Sequence, residues 1–225
     1  MSKSKVLFFL KLFILFVLFP AAIFIGIFVF KEKGYPYVIT AVTVFTLVIF
    51  FASFEKKKIT SRRLVLCSVM TCLAVVGRFI PFLKPVAAVT TVSGMYLGSF
   101  SGFLVGALSA LVSNFYFGQG PWTPHQMFAW GLIGFFSGVF SKVIEKSRLA
   151  LVLFAVISAI GYSMLLDVWT VLWYNGTFSL SLYTAALVTS LPHTLLYTVS
   201  NVIFLVLLYP SLGARLKRIK IKYGV

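Results

Sequence analysis

The chain has 225 residues, of which 60% are hydrophobic and only 11% are charged. A water-soluble domain of this size cannot bury so much apolar surface, so the composition excludes a soluble enzyme and a free nucleic-acid-binding protein. Twenty basic side chains stand against four acidic ones, which gives a formal charge of +16. The basic residues lie between long apolar runs and not along one helix face, so they indicate membrane topology.

Eight apolar runs divide most of the chain. A helix that crosses the hydrocarbon core of a bilayer needs about 20 mostly apolar residues. The first run is longer than the apolar part of a signal peptide, so we expect it to be retained. The fourth run is short for a full crossing and predicts a tilted, broken or re-entrant helix. The predicted spans are Val6 to Phe30, Tyr37 to Phe54, Leu64 to Ile80, Val86 to Gly98, Phe100 to Phe117, His125 to Ser141, Leu149 to Thr170 and Ser181 to Tyr209.

The basic residues also predict orientation. Most of them lie in four stretches, at the N-terminus and at residues 56–63, 142–148 and 215–222. With eight crossings and a cytoplasmic N-terminus, all four stretches lie on the cytoplasmic side, as Lys and Arg prefer. The sequence therefore predicts an all-α integral membrane protein with both termini in the cytoplasm.

One basic stretch, residues 55–63, marks the predicted domain boundary. Residues 1–54 form a two-helix transmembrane hairpin almost free of polar groups, which we expect to pack or to anchor. Residues 55–63 form a cytoplasmic linker, and residues 64–225 form a six-helix domain that holds every candidate functional residue. The two cysteines, Cys67 and Cys72, are five residues apart, which suits neither a disulfide framework nor a CxxC motif.

The first group of candidate residues lies between the fifth and sixth runs, in the segment 113–127. Its glycines and prolines break helices and fix turns, and its polar side chains stand next to large aromatic rings. Such a combination can hold a neutral polar ligand. A tight external turn with an aromatic belt at the membrane interface explains the same composition. The candidate residues are Asn114, Tyr116, Gln119, Trp122, Thr123 and Gln126.

The second group lies at the end of the seventh run and just beyond it, and contains Asp167, Trp169 and Trp173. Asp167 is an acid within an apolar run, where a carboxylate is costly unless it pairs or meets a cavity. Arg78 is the natural partner, and a structural Asp167–Arg78 ion pair is as good an interpretation as ligand contact by either residue. Arg78 and Lys84 lie on an external loop, where they can meet a phosphate or carboxylate or simply anchor the loop at the interface.

The third group lies in the last run. His193, Tyr197 and Asn201 recur at intervals of four residues and so follow one stripe of an otherwise apolar helix. A polar stripe within a membrane must face protein or a cavity. Ligand binding and ordinary packing of a buried histidine both remain open for this stripe.

Motifs for catalysis are missing from the sequence. It contains no GxxxxGK[ST] phosphate loop, no HExxH and no paired carboxylates. His125 and His193 are its only histidines, and neither belongs to a recognisable nucleophile motif. We therefore expect no enzyme activity, no catalytic residue and no metal site.

Several strings from Leu64 to the C-terminus resemble a known family, the substrate-binding S components of energy-coupling factor (ECF) vitamin transporters. The most specific string, Gly118 to Met127, is similar to a subgroup associated with cobalamin or corrinoid uptake. The two N-terminal helices lie outside the usual S-component core. The other strings are Gly77-Arg78-Phe79-Ile80-Pro81, Lys84-Pro85-Val86, Gly94, Gly98, Gly102-Phe103, Gly106, Trp130-Gly131 and Asp167-Val168-Trp169-Thr170.

The resemblance implies a non-catalytic, multi-pass protein of a bacterial plasma membrane that captures a vitamin at its outer face. It would dock on a transmembrane scaffold (T) subunit bound to two cytoplasmic ATPases, topple in the bilayer and release the vitamin inside. The vitamin, expected to be cobalamin, is a transported substrate and not a cofactor. Aromatic groups would come from Tyr116, Trp122, Trp169 and Trp173, hydrogen bonds from Asn114, Gln119, Thr123, Gln126, His193 and Asn201, and phosphate contacts from Arg78 and Lys84.

Scaffold docking in this family uses small residues on the first core helix, often as AxxxA. Here Ser68 and Cys72, or Cys67 and Thr71, supply small residues at that spacing, which permits close helix approach.

Other functions remain open on the sequence alone. The vitamin can be another one or a precursor, such as riboflavin, pantothenate or a queuosine precursor. An autonomous secondary transporter would need a coupling-ion path, for which Asp167 is the only available carboxylate. A structural or assembly protein without a ligand is the third possibility.

Overall fold

A computed structural model describes residues 3–30, 37, 38, 40–46, 48 and 61–223, and within these ranges every regular element is helical and no strand occurs. The N-terminal part comprises α1 (Lys3–Phe13), a π-helical turn (Ile14–Leu18), α2 (Phe19–Ile25) and a second π-helical turn (Gly26–Phe30). The remainder comprises α3 (Ser61–Gly77), α4 (Val86–Leu97), α5 (Ser99–Phe117), α6 (Thr123–Val139), α7 (Ser141–Ile144), α8 (Arg148–Asn175) and α9 (Leu180–Tyr223).

In the part of the chain that the structure describes, four stretches of helix are long and apolar enough to cross a membrane: Val6–Ile25, Ser99–Phe117, Arg148–Asn175 and Leu180–Lys222. Helices α3 and α6 have 17 residues each, and α4 has 12. The second predicted run, Tyr37 to Phe54, lies partly outside the described residues, and the part that is described is helical. Prediction and structure agree on an all-helical chain, but not every predicted run is long enough to span alone.

The N-terminal helix packs on α5 and α6 through aromatic contacts. The ring of Phe19 is fully buried, 5.5 Å from the ring of Phe103 and 5.0 Å from that of Phe128. Pro20 lies in the first turn of α2, immediately after a π-helical turn. Because proline lacks an N–H and its ring crowds the carbonyl four residues earlier, a wider turn here lets the helix continue.

Helix α4 is the centre of the bundle, with all of its residues buried. Its 12 residues rise only about 18 Å, well short of the roughly 30 Å hydrocarbon core. The expectation of a short helix at Val86 to Gly98 is therefore confirmed, and the helix is enclosed by its neighbours.

Glycines let α4, α5 and α6 approach at backbone contact. A Cβ atom built on Gly134 would collide with the carbonyl oxygen of Gly102, and one on Gly94 would collide with that of Gly134. Small residues at such crossings allow the van der Waals packing that holds helices together in lipid. Gly98, with a φ of 94°, lets the chain reverse between α4 and α5 because glycine adopts positive φ without a Cβ clash.

The six long helices of residues 61–223 have two distinct ends. The connections 78–85, 118–122 and 176–179 lie at one end, called here the Arg78 end, and residues 140–147 lie at the other, the Arg148 end. Helices α8 and α9 run antiparallel and are joined by polar contacts: Asp167 accepts from Ser190, Ser163 contacts Thr194, and Asn201 donates to Ala155.

Several predicted boundaries were wrong. Residues 61–63 of the predicted linker belong to α3, and residues 55–60 lie outside the described part of the chain. Helix α8 extends to Asn175 and α9 to Tyr223, well past the predicted ends at Thr170 and Tyr209. Beyond its apolar part, α9 continues through Ala, Leu, Arg and Lys, which favour helix, whereas α8 simply continues through the apolar residues 171–174 to the cap at Gly176.

Candidate functional site

Arg78 is the centre of a buried hydrogen-bond network at the Arg78 end. It follows the last residue of α3, and its Nη1 atom donates to Ser113 Oγ and to Asn114 Oδ1 on α5, each at 2.5 Å. Its guanidinium also lies over the ring of Phe117 at 4.6 Å and over that of Trp130 at 5.3 Å. These aromatic faces and neutral hydrogen-bond acceptors stabilise the guanidinium inside the bundle.

Amide groups extend this network from α5 to α6 and α8. The fully buried Asn114 donates from Nδ2 to Thr123 Oγ1 and to Gln126 Oε1, both at 2.9 Å. Gln126 in turn donates to the hydroxyl of Tyr162 at 3.1 Å. The Asn114 and Gln126 orientations are thereby fixed by their mutual bonds, which rigidifies the site.

Aromatic rings form one wall of this network. Trp130 and Tyr162 stack with centroids 5.7 Å apart and an interplanar angle of 13°. Trp130 donates from Nε1 to the hydroxyl of Tyr197, whose ring lies 4.8 Å from that of Tyr162. The exposed ring of His193 stacks on Tyr197 at 6.2 Å. We call the residues Arg78, Asn114, Gln126, Trp130, Tyr162 and Tyr197 the Arg78 cluster.

A second cation, Lys84, lies beside the cluster in the connection 78–85. Its Nζ atom is 5.7 Å from the centre of the Phe117 ring, and Ser200 on α9 donates to its backbone carbonyl. Burial lowers the pKa of Lys84, and the charge of Arg78 lowers it further. Two cations of like sign therefore lie close together at this end, and a ligand with oxygen acceptors or negative charge would relieve their repulsion.

Three tryptophans form a separate group between α6 and α8. The ring of Trp169 lies 6.5 Å from Trp122, 6.2 Å from Trp173 and 5.6 Å from His125. Trp169 Nε1 and His125 Nδ1 are buried without a hydrogen-bond partner. The backbone at Pro121 also interacts with His125, so of this pair Trp169 is the clearer candidate to bind a polar group of a ligand.

The predicted Asp167–Arg78 ion pair was wrong. Asp167 accepts a hydrogen bond from Ser190 Oγ at 2.7 Å, while Arg78 is satisfied by Ser113 and Asn114. Each charged group is therefore bonded to neutral side chains, and the two do not contact each other. Asp167 therefore joins α8 to α9 and is not part of the Arg78 cluster.

Other predicted residues lie in different places. Gln119 donates to the carbonyl of Leu111 and accepts from Thr123, so it fixes the turn before α6. Tyr116 is mostly exposed and packs on Phe79. Asn201 is fully buried but donates to Ala155 and Ser158, away from the cluster.

Sequence reasoning missed three members of the network: Ser113, Trp130 and Tyr162. Trp130 carried a signal, since it belongs to one of the strings that resemble a known family. Tyr162 lies within a long apolar run and nothing local distinguishes it, because only the packing of α8 against α6 brings its hydroxyl to Gln126.

The candidate docking residues divide between two faces of α3. Cys67 and Thr71 are buried in the bundle, whereas Ser68 and Cys72 are exposed. Ser68 and Cys72 lie in a shallow apolar depression on α3 that is flanked by larger side chains, including Val65, Val69 and Val76. The exposed pair of small residues is therefore Ser68 and Cys72.

Fold and site together define a class: a helical membrane protein with a charged, aromatic-lined polar cluster inside one end of its bundle. Residues 58–218 match the family model described as the ECF-type riboflavin transporter, S component. The chain therefore belongs to this family of S components, which are multi-pass membrane proteins and not enzymes. ECF S components bind a vitamin and associate with an ECF module. No curated protein and no solved structure matches the chain.

The match gives no support to the expected cobalamin subgroup, because the family description names riboflavin. The resemblance to S components is thus confirmed at the level of the family, and the particular vitamin is left to a proposal.

Proposed function

We propose that this chain captures a vitamin at the Arg78 cluster and delivers it by docking on a scaffold subunit that carries two separate ATPases. In this proposal, the Arg78 end faces outward and both termini are cytoplasmic. Support comes from the cations at the other end, Lys142, Lys146 and Arg148, and from the basic tail of α9, since Lys and Arg concentrate in the cytoplasm.

Riboflavin is the first candidate for the vitamin. The single observation that carries this choice is the family match, since the matched family is named for riboflavin. The chemistry of the cluster is compatible with it. Trp130, Tyr162 and Tyr197 bring aromatic rings to this site, and Asn114 and Gln126 bring amides, the groups that a planar heteroaromatic ligand with a polar edge needs. These groups pair with one another in the structure, so the proposal requires the ligand to replace some of those contacts.

A corrinoid is the second candidate, and a different observation favours it. Among the described residues, neither Arg78 nor Lys84 contacts a carboxylate, so both cations can meet the phosphodiester of a cobalamin. The Gly118 to Met127 string, which resembles the cobalamin subgroup, points the same way.

Absorption spectroscopy of the purified full-length protein separates the two candidates. We expect a flavin spectrum from co-purified ligand, and quenching of added riboflavin fluorescence at stoichiometric protein. A corrin spectrum would instead support the second candidate, the corrinoid. Absence of binding to both compounds by folded protein would contradict both assignments.

Docking through α3 can be tested apart from vitamin binding. We expect Ser68→Trp to reduce vitamin uptake at least tenfold in cells that carry the ECF module, because an indole at this position prevents close helix approach. Binding of the vitamin by the purified variant should be unchanged, since Ser68 is exposed and lies about 15 Å along α3 from Arg78.

Ile160→Trp is the matched control for the docking test, because Ile160 is an exposed apolar residue on α8. It should leave uptake near the wild-type rate. Equal uptake by the Ser68 and Ile160 variants would show that α3 is not the docking helix. Uptake by vesicles without any ATPase would instead support a secondary transporter.

A further inference from the structure

An apolar groove of about 610 Å³ runs between α6 and α8 from the Arg148 end and meets the Arg78 cluster only at Tyr162. Side chains from α6, α7 and α8 line it, and almost all of them are apolar. Several are exposed although apolar, among them Phe136, Leu153 and Ile157. Exposed apolar side chains on a membrane helix face lipid, so the groove opens toward the bilayer.

The groove is longer than one leaflet of the bilayer is thick. Its lining on α8 extends from Ala150 to Leu165. At about 1.5 Å per residue, this stretch covers about 22 Å, compared with roughly 15 Å for half of a 30 Å hydrocarbon core. The groove is therefore long enough to hold an acyl chain along its full length. Gly161 lies within it, and nothing occupies the space within 4 Å of the position that its Cβ would take.

Cations stand at the end of this groove. The connection between α6 and α8, which supplies Phe140, Val143 and Ile144 to the lining, carries Lys142, Lys146 and Arg148, all exposed. Glu145 is the one acidic residue in that connection, so positive charge predominates. Basic residues beside a pocket between transmembrane helices bind the head groups of anionic lipids.

We propose that this groove is a binding site for an anionic phospholipid. One acyl chain lies between α6 and α8, and the phosphate contacts the cations of the connection 142–148. The charge of that connection is what selects an anionic lipid over a zwitterionic one. Tyr162 separates the groove from the Arg78 cluster, since its ring lines the groove and its hydroxyl accepts from Gln126. The inference does not depend on which vitamin is bound.

Photo-cross-linking locates the lipid. Full-length protein is reconstituted with phosphatidylglycerol that carries a diazirine on one acyl chain, and cross-linked peptides are mapped by mass spectrometry. We expect labels on α6 and α8 between residues 129 and 165. A fivefold excess of unlabelled phosphatidylcholine should reduce this labelling only slightly. Labelling spread evenly over all exposed helices would overturn the proposal.

Thermal unfolding in detergent gives a second readout. Phosphatidylglycerol should raise the unfolding midpoint more than phosphatidylcholine with the same acyl chains. Gly161→Leu fills the groove and should remove the effect of both lipids. K142Q/K146Q should remove only the preference for phosphatidylglycerol, whereas the matched K217Q/K220Q variant should keep it. Equal responses of these two double variants would contradict the proposed head-group contact.

Discussion

Arg78→Met is expected to weaken vitamin binding about 100-fold or more. The substitution keeps a long side chain but removes the charge and both donors to Ser113 and Asn114. Asn114 then loses the bond that fixes its amide, so Gln126 and Tyr162 lose their orientation as well. Loss of a charged hydrogen-bond donor in a buried network costs about 3 kcal/mol, which corresponds to the stated factor.

The measurement is a titration of purified Arg78→Met with riboflavin, followed by flavin fluorescence, beside the wild type. Lys84→Met is the matched control, since it removes a cation from the same connection but no side-chain bond of the network; we expect a loss of tenfold or less. Size-exclusion chromatography and the unfolding midpoint establish that both variants are folded. Wild-type affinity in folded Arg78→Met would show that the vitamin does not bind at the Arg78 cluster.

Gly134→Ala is expected to produce the largest loss of stability. Its new methyl group would collide with the backbone of Gly102, where α5 and α6 lie in direct contact. A flexible side chain could move aside, but a carbonyl oxygen within a helix cannot, so the two helices must separate. Overpacking of this kind costs about 3 kcal/mol, which lowers the unfolding midpoint by roughly 10 °C.

Gly161→Ala provides the matched control, because its methyl group meets open space. The same substitution in a helix removes backbone freedom from the unfolded chain, so the midpoint should stay level or rise slightly. Comparable losses in both variants would mean that the contact at Gly102 does not determine the result.

The helices themselves were largely predictable, because hydropathy and turn residues act locally. Gly118 ends α5 after Phe117 and the prolines after it open α6, as the segment 113–127 indicated. The same local reasoning brought Asn114, Thr123 and Gln126 together, since they lie at the facing ends of one helical hairpin. What hydropathy could not supply was the order of neighbours around α4, which depends on glycine contacts between distant segments.

The candidate stripe on α9 shows where a sequence pattern fails. A helix turns about 100° per residue, so positions four apart are rotated by about 40° and positions eight apart by about 80°. Tyr197 and Asn201 both pack on α8, where Tyr197 lies against Tyr162 and Asn201 donates to Ala155. His193 is exposed, so the stripe does not face the protein along its full length. The predicted Asp167–Arg78 ion pair was wrong because opposite charge alone does not show which parts of the chain lie next to each other.

The position of the N-terminal helix has a consequence for movement in the membrane. It lies against Phe103, Phe128 and Phe135, whereas the small-residue depression lies on α3. Within the described part of the extension, residues 3–30 widen the bundle beside α5 and α6 and leave the α3 depression uncovered. Under the proposed docking on α3, this added width would increase the area of lipid that any movement of the bundle has to displace.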